Sequence, residues 1–362
     1  MFLLAPADLY KSVEQHAANI TIPNHDLAGY LIGVWNIYDT PNYIKIAQDG
    51  YGSDPAFLTV FFPGYPLLIK VTAFFLLGNS LLAALLLANI AALIFFWYLY
   101  RLVVEDYGPA VARRAVILSA TFPSAFFLFL GYTEPLLLAC TVTALYYGRR
   151  SRWWVAGSLA AAAALIKQPG LFLVVPLGYM YWQARRHRAS VDAQTPRFAW
   201  LSLLLAPLAT AVYSGFRYLY VQAPSQGITD LGGKELLTIP GLPLLRALQV
   251  LHTENPLLVV NLLDVCFTLL LIVLAIRTIL TVRIVPYVIY TVLLTVASLA
   301  VTWPDVWRPE VNMPRRLLLV FPIYIYLARM TPHPRTFRLL VGACFAVFLT
   351  LSWLFVHWVF VS

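Results

Sequence analysis

From Asn79 to the end, the chain is a succession of apolar runs separated by short polar turns, and this repetition most narrows what it can fold into. A helix needs about 20 apolar residues to cross the hydrocarbon layer. Backbone groups left unpaired in lipid each cost several kcal/mol, so only helices or closed barrels can cross. Apolar runs are read at 79–103, 115–131, 132–148, 153–168, 170–184, 199–221, 256–276, 284–301, 315–328 and 339–361. The expected fold class is an all-α polytopic membrane protein with about ten transmembrane helices. Composition agrees, with 61% hydrophobic and 11% charged residues, where a soluble chain carries roughly a quarter charged. Several runs are short, and those around Glu134 and Lys167 read as broken pairs that meet at a polar apex.

Residues 1–56 carry no run of crossing length and no basic, apolar leader, so no signal peptide is expected. The next apolar stretch, Ala56 to Gly78, is interrupted by Phe61-Phe62-Pro63-Gly64-Tyr65-Pro66 and by Lys70. Two prolines and a glycine so close together end a helix, so an interfacial or re-entrant segment is expected there. The division is therefore an extracytoplasmic or interfacial lobe over 1–78 and a helical membrane domain over 79–361, with a long outer loop at 222–255. The net charge of +9 is explained by topology rather than by nucleic acid. Fifteen of the 25 Lys and Arg residues are arginines in alternate short turns between Arg101 and Arg338, which marks the cytoplasmic side. Twelve of the 16 carboxylates fall on the other side. The three cysteines, Cys140, Cys266 and Cys344, each lie inside an apolar run, which indicates neither a disulfide framework nor a Cys-based metal site.

The outer side carries the candidate chemistry. Asp39 sits among Trp35, Tyr38 and Tyr43, a partly apolar setting in which a carboxylate can act as a general base. Its position before Pro41 equally fits a turn or a helix N-cap. Asp49 and Asp54 flank Gly50-Tyr51-Gly52-Ser53; they orient an acceptor, or hold a divalent ion with Asp39, or are solvated turn acids. Glu134, between two lipid-length runs, needs a partner or a water-filled cavity, unless it simply opens an interfacial helix. Lys167, Arg315 and Arg316 are basic on the acidic side. They either receive an anion such as a phosphate or snorkel to headgroups. No Gly-rich phosphate loop, zinc-peptidase His pair or nucleophile elbow is present. No internal repeat is visible either, which disfavours a transporter.

These residues have a familiar order. Tyr38-Asp39 followed by Tyr43, Ile46-Ala47 and Gly50-Tyr51 resembles the first extracytoplasmic loop of the GPI mannosyltransferase II family and its prokaryotic relatives in the GT-C superfamily. Phe61-Phe62-Pro63-Gly64-Tyr65-Pro66 resembles that family's Phe-Phe-Pro-x-x-Pro element. Phe122-Pro123-Ser124-Ala125-Phe126-Phe127 and Tyr132-Thr133-Glu134 resemble two further elements, and Arg149-Arg150-Ser151-Arg152-Trp153 is similar to a basic turn. Met313-Pro314-Arg315 with Phe321-Pro322 resembles a late signature. The match covers about residues 35–328; no single element is specific, but their order is. It departs in three places. The family usually has Trp-Asp where this chain has Tyr38-Asp39, commonly has arginine where Lys167 stands, and has a span before the acidic loop.

The resemblance implies a GT-C-like helical bundle whose extracytoplasmic loop between early helices bears the catalytic acid. It implies an inverting glycosyltransferase that moves a hexose, typically mannose, from a polyprenyl- or dolichyl-phosphate carrier to the hydroxyl of a glycolipid or glycan. In that scheme Asp39 is the base. Arg315, Arg316 and Lys167 surround the carrier phosphate, and Trp35, Tyr38 and Tyr51 pack on sugar faces, with Tyr43, Asp49 and Glu134 completing the substrate site. No cofactor is required, and a divalent cation is compatible but not indicated. The expected location is the cell membrane of a prokaryote or the endoplasmic reticulum membrane of a eukaryote. Two other classes remain open: a transporter or flippase using Glu134 and Asp264, and a non-catalytic membrane scaffold.

Overall fold

The computed structural model describes residues 33–52, 55–186, 198–221, 236–251, 258–302, 309 and 312–356. A 3-10 turn at Gly33–Trp35 leads into α1 (Thr40–Asp49). Pro41 in the first turn has no N–H to lose there. Thr40, Tyr43, Ile46 and Ala47 form one buried face, and Gly50, at φ 75°, ends the helix. After the single turn α2 (Pro55–Leu58), α3 (Gly64–Phe75) starts behind Pro63. It turns Tyr65, Pro66, Ile69 and Ala73 inward and leaves Leu67, Val71, Phe74 and Phe75 exposed.

The backbone of the fold is α4 (Ser80–Thr121), capped by Asn79, whose side chain accepts from the Leu82 N–H at 2.9 Å. At 42 residues it would be about 63 Å long if straight. It kinks at Gly108, where φ is 80°, just before Pro109, because proline removes a helical hydrogen bond. Ala83, Ala84, Ala88, Ala91 and Ala92 are buried along it, and such small residues let neighbouring helices approach closely. The expected spans 79–103 and 115–131 thus fall on two helical arms joined end to end at Gly108, whose φ of 80° and ψ of 171° are not helical. The second arm stops at Thr121 and is followed by a 3-10 turn, Ala125–Leu128.

Next come α5 (Glu134–Arg149), α6 (Trp153–Ile166), a 3-10 segment at Gln168–Leu173 and α7 (Val174–Arg186). A 3-10 segment at Ala199–Leu204 continues into α8 (Leu205–Val221), and α9 (Leu242–Val250), α10 (Leu258–Val282) and α11 (Val285–Ala300) follow. The apolar run at 315–328 is split into α12 (Met313–Leu319) and α13 (Pro322–Met330), and α14 (Pro334–Val356) closes the described chain. Among the described residues the only departure from all-α is a two-residue antiparallel pairing, β1 (Leu236–Leu237) with β2 (Val301–Thr302).

Among the described residues, four helical segments are long and apolar enough to cross a membrane: Ser80–Thr121, Ala199–Tyr220, Leu258–Val282 and Pro334–Val356. The count of ten full spans is therefore not reproduced by length. Proline and glycine cut the remaining runs, as at Pro169-Gly170 and Pro322, into helices of 7 to 16 residues. Residues 1–32 of the expected N-terminal lobe, and most of the expected outer loop 222–255, lie outside the described residues.

The basic turns converge in space. Arg149, at the end of α5, pairs with Asp106 of α4 at 2.7 Å, and the Tyr287 hydroxyl of α11 donates to the same carboxylate at 2.8 Å. Arg150 pairs with Glu105. Arg329 donates to the Thr281 carbonyl and Arg114 to that of Pro332. Glu105 and Asp106, two acids not on the acidic side of the sequence, are thus the counter-ions of this basic end.

Candidate active site

At the opposite end, four charged side chains from distant parts of the chain meet. Asp39 is the residue before α1 and has helical angles, φ −79° and ψ −28°, but its side chain makes no capping bond. Instead it accepts from Arg315 Nη1 at 2.6 Å. The N-cap reading therefore describes its backbone and not its carboxylate. Tyr38 just before it holds φ at 56°, a conformation that costs a residue with a Cβ roughly 1–2 kcal/mol. Asn42 Nδ2 donates to the Tyr38 carbonyl at 3.4 Å, supporting that reversal.

Glu134 opens α5, with Pro135 behind it, so a negative charge lies at a helix N-terminus where the helix dipole favours it. Its ion pairs all run through one oxygen. Oε1 accepts from Arg315 Nε and Nη2, each at 2.8 Å, and from Lys167 Nζ at 2.6 Å. The two sequence readings of Glu134, helix opener and partnered buried acid, are both realised.

Lys167 reaches Glu134 because the chain breaks sharply after α6. Lys167 is extended, at φ −160° and ψ 144°, and the following segment doubles back so closely that a Cβ on Gly170 would lie 2.1 Å from the Ala163 carbonyl carbon. Only glycine fits such an approach. Arg315 lies in the first turn of α12, behind Asn312 at φ 63° and beside Pro314. Its guanidinium covers the rings of Tyr132 at 4.6 Å and Phe127 at 5.3 Å. A planar cation suits that stacking and the two-carboxylate fork together.

Exposure grades the four. Glu134 is 0% exposed and Arg315 6%, whereas Asp39 is 25% and Lys167 30% exposed. Asp39 and Lys167 can therefore meet a ligand, with Glu134 and the body of Arg315 behind them. Two carboxylates and two cations make the quartet formally neutral. Around it, the Tyr132 hydroxyl accepts from the Asp39 N–H at 3.4 Å, Thr40 Oγ1 donates to the Gly131 carbonyl at 3.4 Å, and the Tyr43 hydroxyl pairs with Thr133 Oγ1 at 3.4 Å. Burial, with the Asp39 and Glu134 carboxylates nearby, pushes the Tyr43 phenol above its usual range, so it stays neutral.

Other expected residues lie elsewhere. Arg316 turns away and donates to the Ser298 carbonyl at 2.9 Å. Asp49 is exposed at the far end of α1, ten residues and about 15 Å along the helix from Asp39. Tyr51 donates to the Phe61 carbonyl at 2.8 Å and packs near Phe216 and Tyr213. Trp35 is half-buried against the core, and Tyr38 packs on Phe355 at 4.9 Å. Asp54 lies outside the described residues. Among the described residues no three His, Cys, Asp or Glu side chains form a metal-binding cluster. Sequence reasoning missed Tyr132 and Phe127, the aromatic floor under Arg315. The signal was present, since both stand in the quoted motifs and only Glu134 was drawn from them.

Residues 62–214 match the family described as dolichyl-phosphate-mannose-protein mannosyltransferase. That stretch includes Glu134 and Lys167 but neither Asp39 nor Arg315. The chain is 29% identical over 219 residues to the GPI alpha-1,6-mannosyltransferase 2 of Mus musculus, covering 54% of this chain and 42% of that protein. The Cricetulus griseus protein of the same name is 32% identical over 160 residues, with 40% and 31% covered. The Homo sapiens protein is 30% identical over 195 residues, with 51% and 38% covered. The chain thus spans less than half the length of these curated relatives. In fold it is similar to the crystal structure of ArnT from Cupriavidus metallidurans bound to undecaprenyl phosphate. The TM-score is 0.52 at 14% identity, over 88% of this chain and 63% of that one.

Proposed function

We propose that this chain is a membrane glycosyltransferase of the GT-C type, as its similarities support, and that it transfers a hexose from a polyprenyl-phosphate carrier to an acceptor hydroxyl outside the cytoplasm. Mannose is the sugar favoured by the names of the curated relatives. A polyprenyl phosphate is favoured by the ligand named for the structural neighbour. The observation that carries the reading is the quartet itself. A part-exposed carboxylate, Asp39, lies 2.6 Å from Arg315, which shares Glu134 with Lys167.

In this reading the acceptor oxygen attacks the anomeric carbon from the face opposite the phosphate. Its proton passes to Asp39, the new C–O bond forms, and the bond from the anomeric carbon to the phosphate oxygen breaks with its electron pair leaving on the phosphate. The configuration inverts. The phosphate needs no proton from the protein, only stabilisation of its charge, and fixed cations in a dry site supply that best. Lys167 and Arg315 are assigned this part. Arg316, bound to Ser298, is assigned none, and the scheme as written requires no metal ion.

The test is transfer from radiolabelled polyprenyl-phosphate mannose to a panel of lipid and glycan acceptors by purified protein. Asp39→Asn is expected to lower transfer by about 10²- to 10⁴-fold, the usual worth of a general base. Equal transfer by wild type and variant refutes the assignment. The transporter reading is disfavoured by the same matches, since the curated relatives are named as transferases.

A further inference from the structure

We infer that Glu134 is a positioning residue: through one carboxylate oxygen it divides the grip of Arg315 between itself and Asp39, and so keeps the base free enough to act. The inference rests on the reading of Asp39 as base and goes beyond it by giving the buried acid a function that involves no contact with substrate.

Four observations carry it. Glu134 is 0% exposed and lies behind Arg315, so it is out of reach of a sugar or a phosphate. Two Arg315 donors, Nε and Nη2, and Lys167 Nζ all converge on its Oε1 within 2.8 Å. Arg315 is left one short contact to Asp39, through Nη1 at 2.6 Å. The other Glu134 oxygen, Oε2, is buried with no hydrogen-bond partner among the described residues. The carboxylate is therefore held by the cations rather than by a general polar network, and its charge is the feature that matters.

The consequence follows from charge balance. With Glu134 in place, two cations face two carboxylates. Without its charge, two cations face Asp39 alone. Arg315 and Lys167 then repel each other, and the whole guanidinium fork falls to Asp39, since a bidentate pair is stronger than a single contact. An aspartate gripped that way is a poorer base, because its oxygens are taken up by the guanidinium and are less free to receive the acceptor's proton. The pocket has meanwhile gained a net positive charge, which favours an anion. The two effects have opposite signs, which a loosened fold cannot imitate.

The experiment pairs binding with turnover in the full chain. Binding is measured with sugar-free polyprenyl phosphate, and turnover with the assay above. Glu134→Gln is expected to bind the phosphate at least as tightly as wild type while kcat falls about 10-fold or more, because the interaction lost is one that matters only while Asp39 takes up the proton. The double variant Glu134→Gln with Lys167→Met restores a neutral Asp39–Arg315 pair; it is expected to keep kcat low and phosphate affinity no higher than wild type. It also serves if the single variant does not fold. Loss of phosphate binding together with turnover in Glu134→Gln overturns the inference, as does unchanged kcat or recovery of kcat in the double variant. Asp39→Asn run in parallel separates the two claims. If it retains transfer, the base assignment has failed, whatever Glu134 does.

Discussion

Arg315→Met tests the quartet as structure, independently of any reaction. Methionine keeps an unbranched stem over Tyr132 and Phe127 but removes every donor. Asp39, at 25% exposure, can regain water and contributes little to the loss. Glu134, at 0% exposure, cannot, and keeps only Lys167. Removing one partner of a buried charge pair costs about 3–5 kcal/mol. The surviving lysine pulls the figure toward the lower end, and the lost stacking of the cation on two rings pulls it back up. Arg315→Lys keeps the charge but cannot fork across both carboxylates, so the loss is roughly 1.5–3 kcal/mol, the worth of charged hydrogen bonds. Tm moves by about 2 °C per kcal/mol in large chains. A drop of about 6–10 °C is therefore expected for methionine, and about 3–6 °C for lysine. The assay is thermal unfolding in one detergent at one scan rate, because membrane proteins rarely unfold reversibly. A methionine variant melting within about 1 °C of wild type refutes the argument that Glu134 depends on Arg315.

Two further outcomes check the packing and the orientation. A Cβ on Gly157 would lie 2.2 Å from the Ser202 carbonyl oxygen, so Gly157→Ala is expected to force α6 from the segment before α8 and cost about 1–3 kcal/mol, read as a lower Tm. Lys45 on α1 and Arg152 before α6 are both exposed and lie at opposite ends of the fold. In a background without cysteine, a membrane-impermeant maleimide added outside cells is expected to label Lys45→Cys and not Arg152→Cys; the reverse pattern overturns the topology.

The membrane class, the helical content and the convergence of the arginine-rich turns were legible because each is a property of composition along the chain. Lipid excludes unpaired backbone and charge wherever they fall, so apolar runs and arginine-rich turns carry that information without any long-range contact. The candidate residues were legible as types, carboxylates and cations on the side where a membrane chain has fewest reasons to keep them. Their number of crossings was not, because prolines and glycines that look like turns locally are sometimes kinks, as at Gly108, and sometimes breaks, as at Pro322.

What only the tertiary structure decided is which of them meet. Asp39 and Arg315 are 276 positions apart and Glu134 and Arg315 are 181 apart, separations over which no local pattern acts. Arg315 and Arg316 are neighbours, yet successive helical residues point about 100° apart, so one enters the carboxylates and the other reaches Ser298. Asp49 shares a helix with Asp39, and the length of that helix keeps them apart. Sequence supplied the charges, and helix geometry and a glycine-permitted fold-back after Lys167 chose the four that share one site.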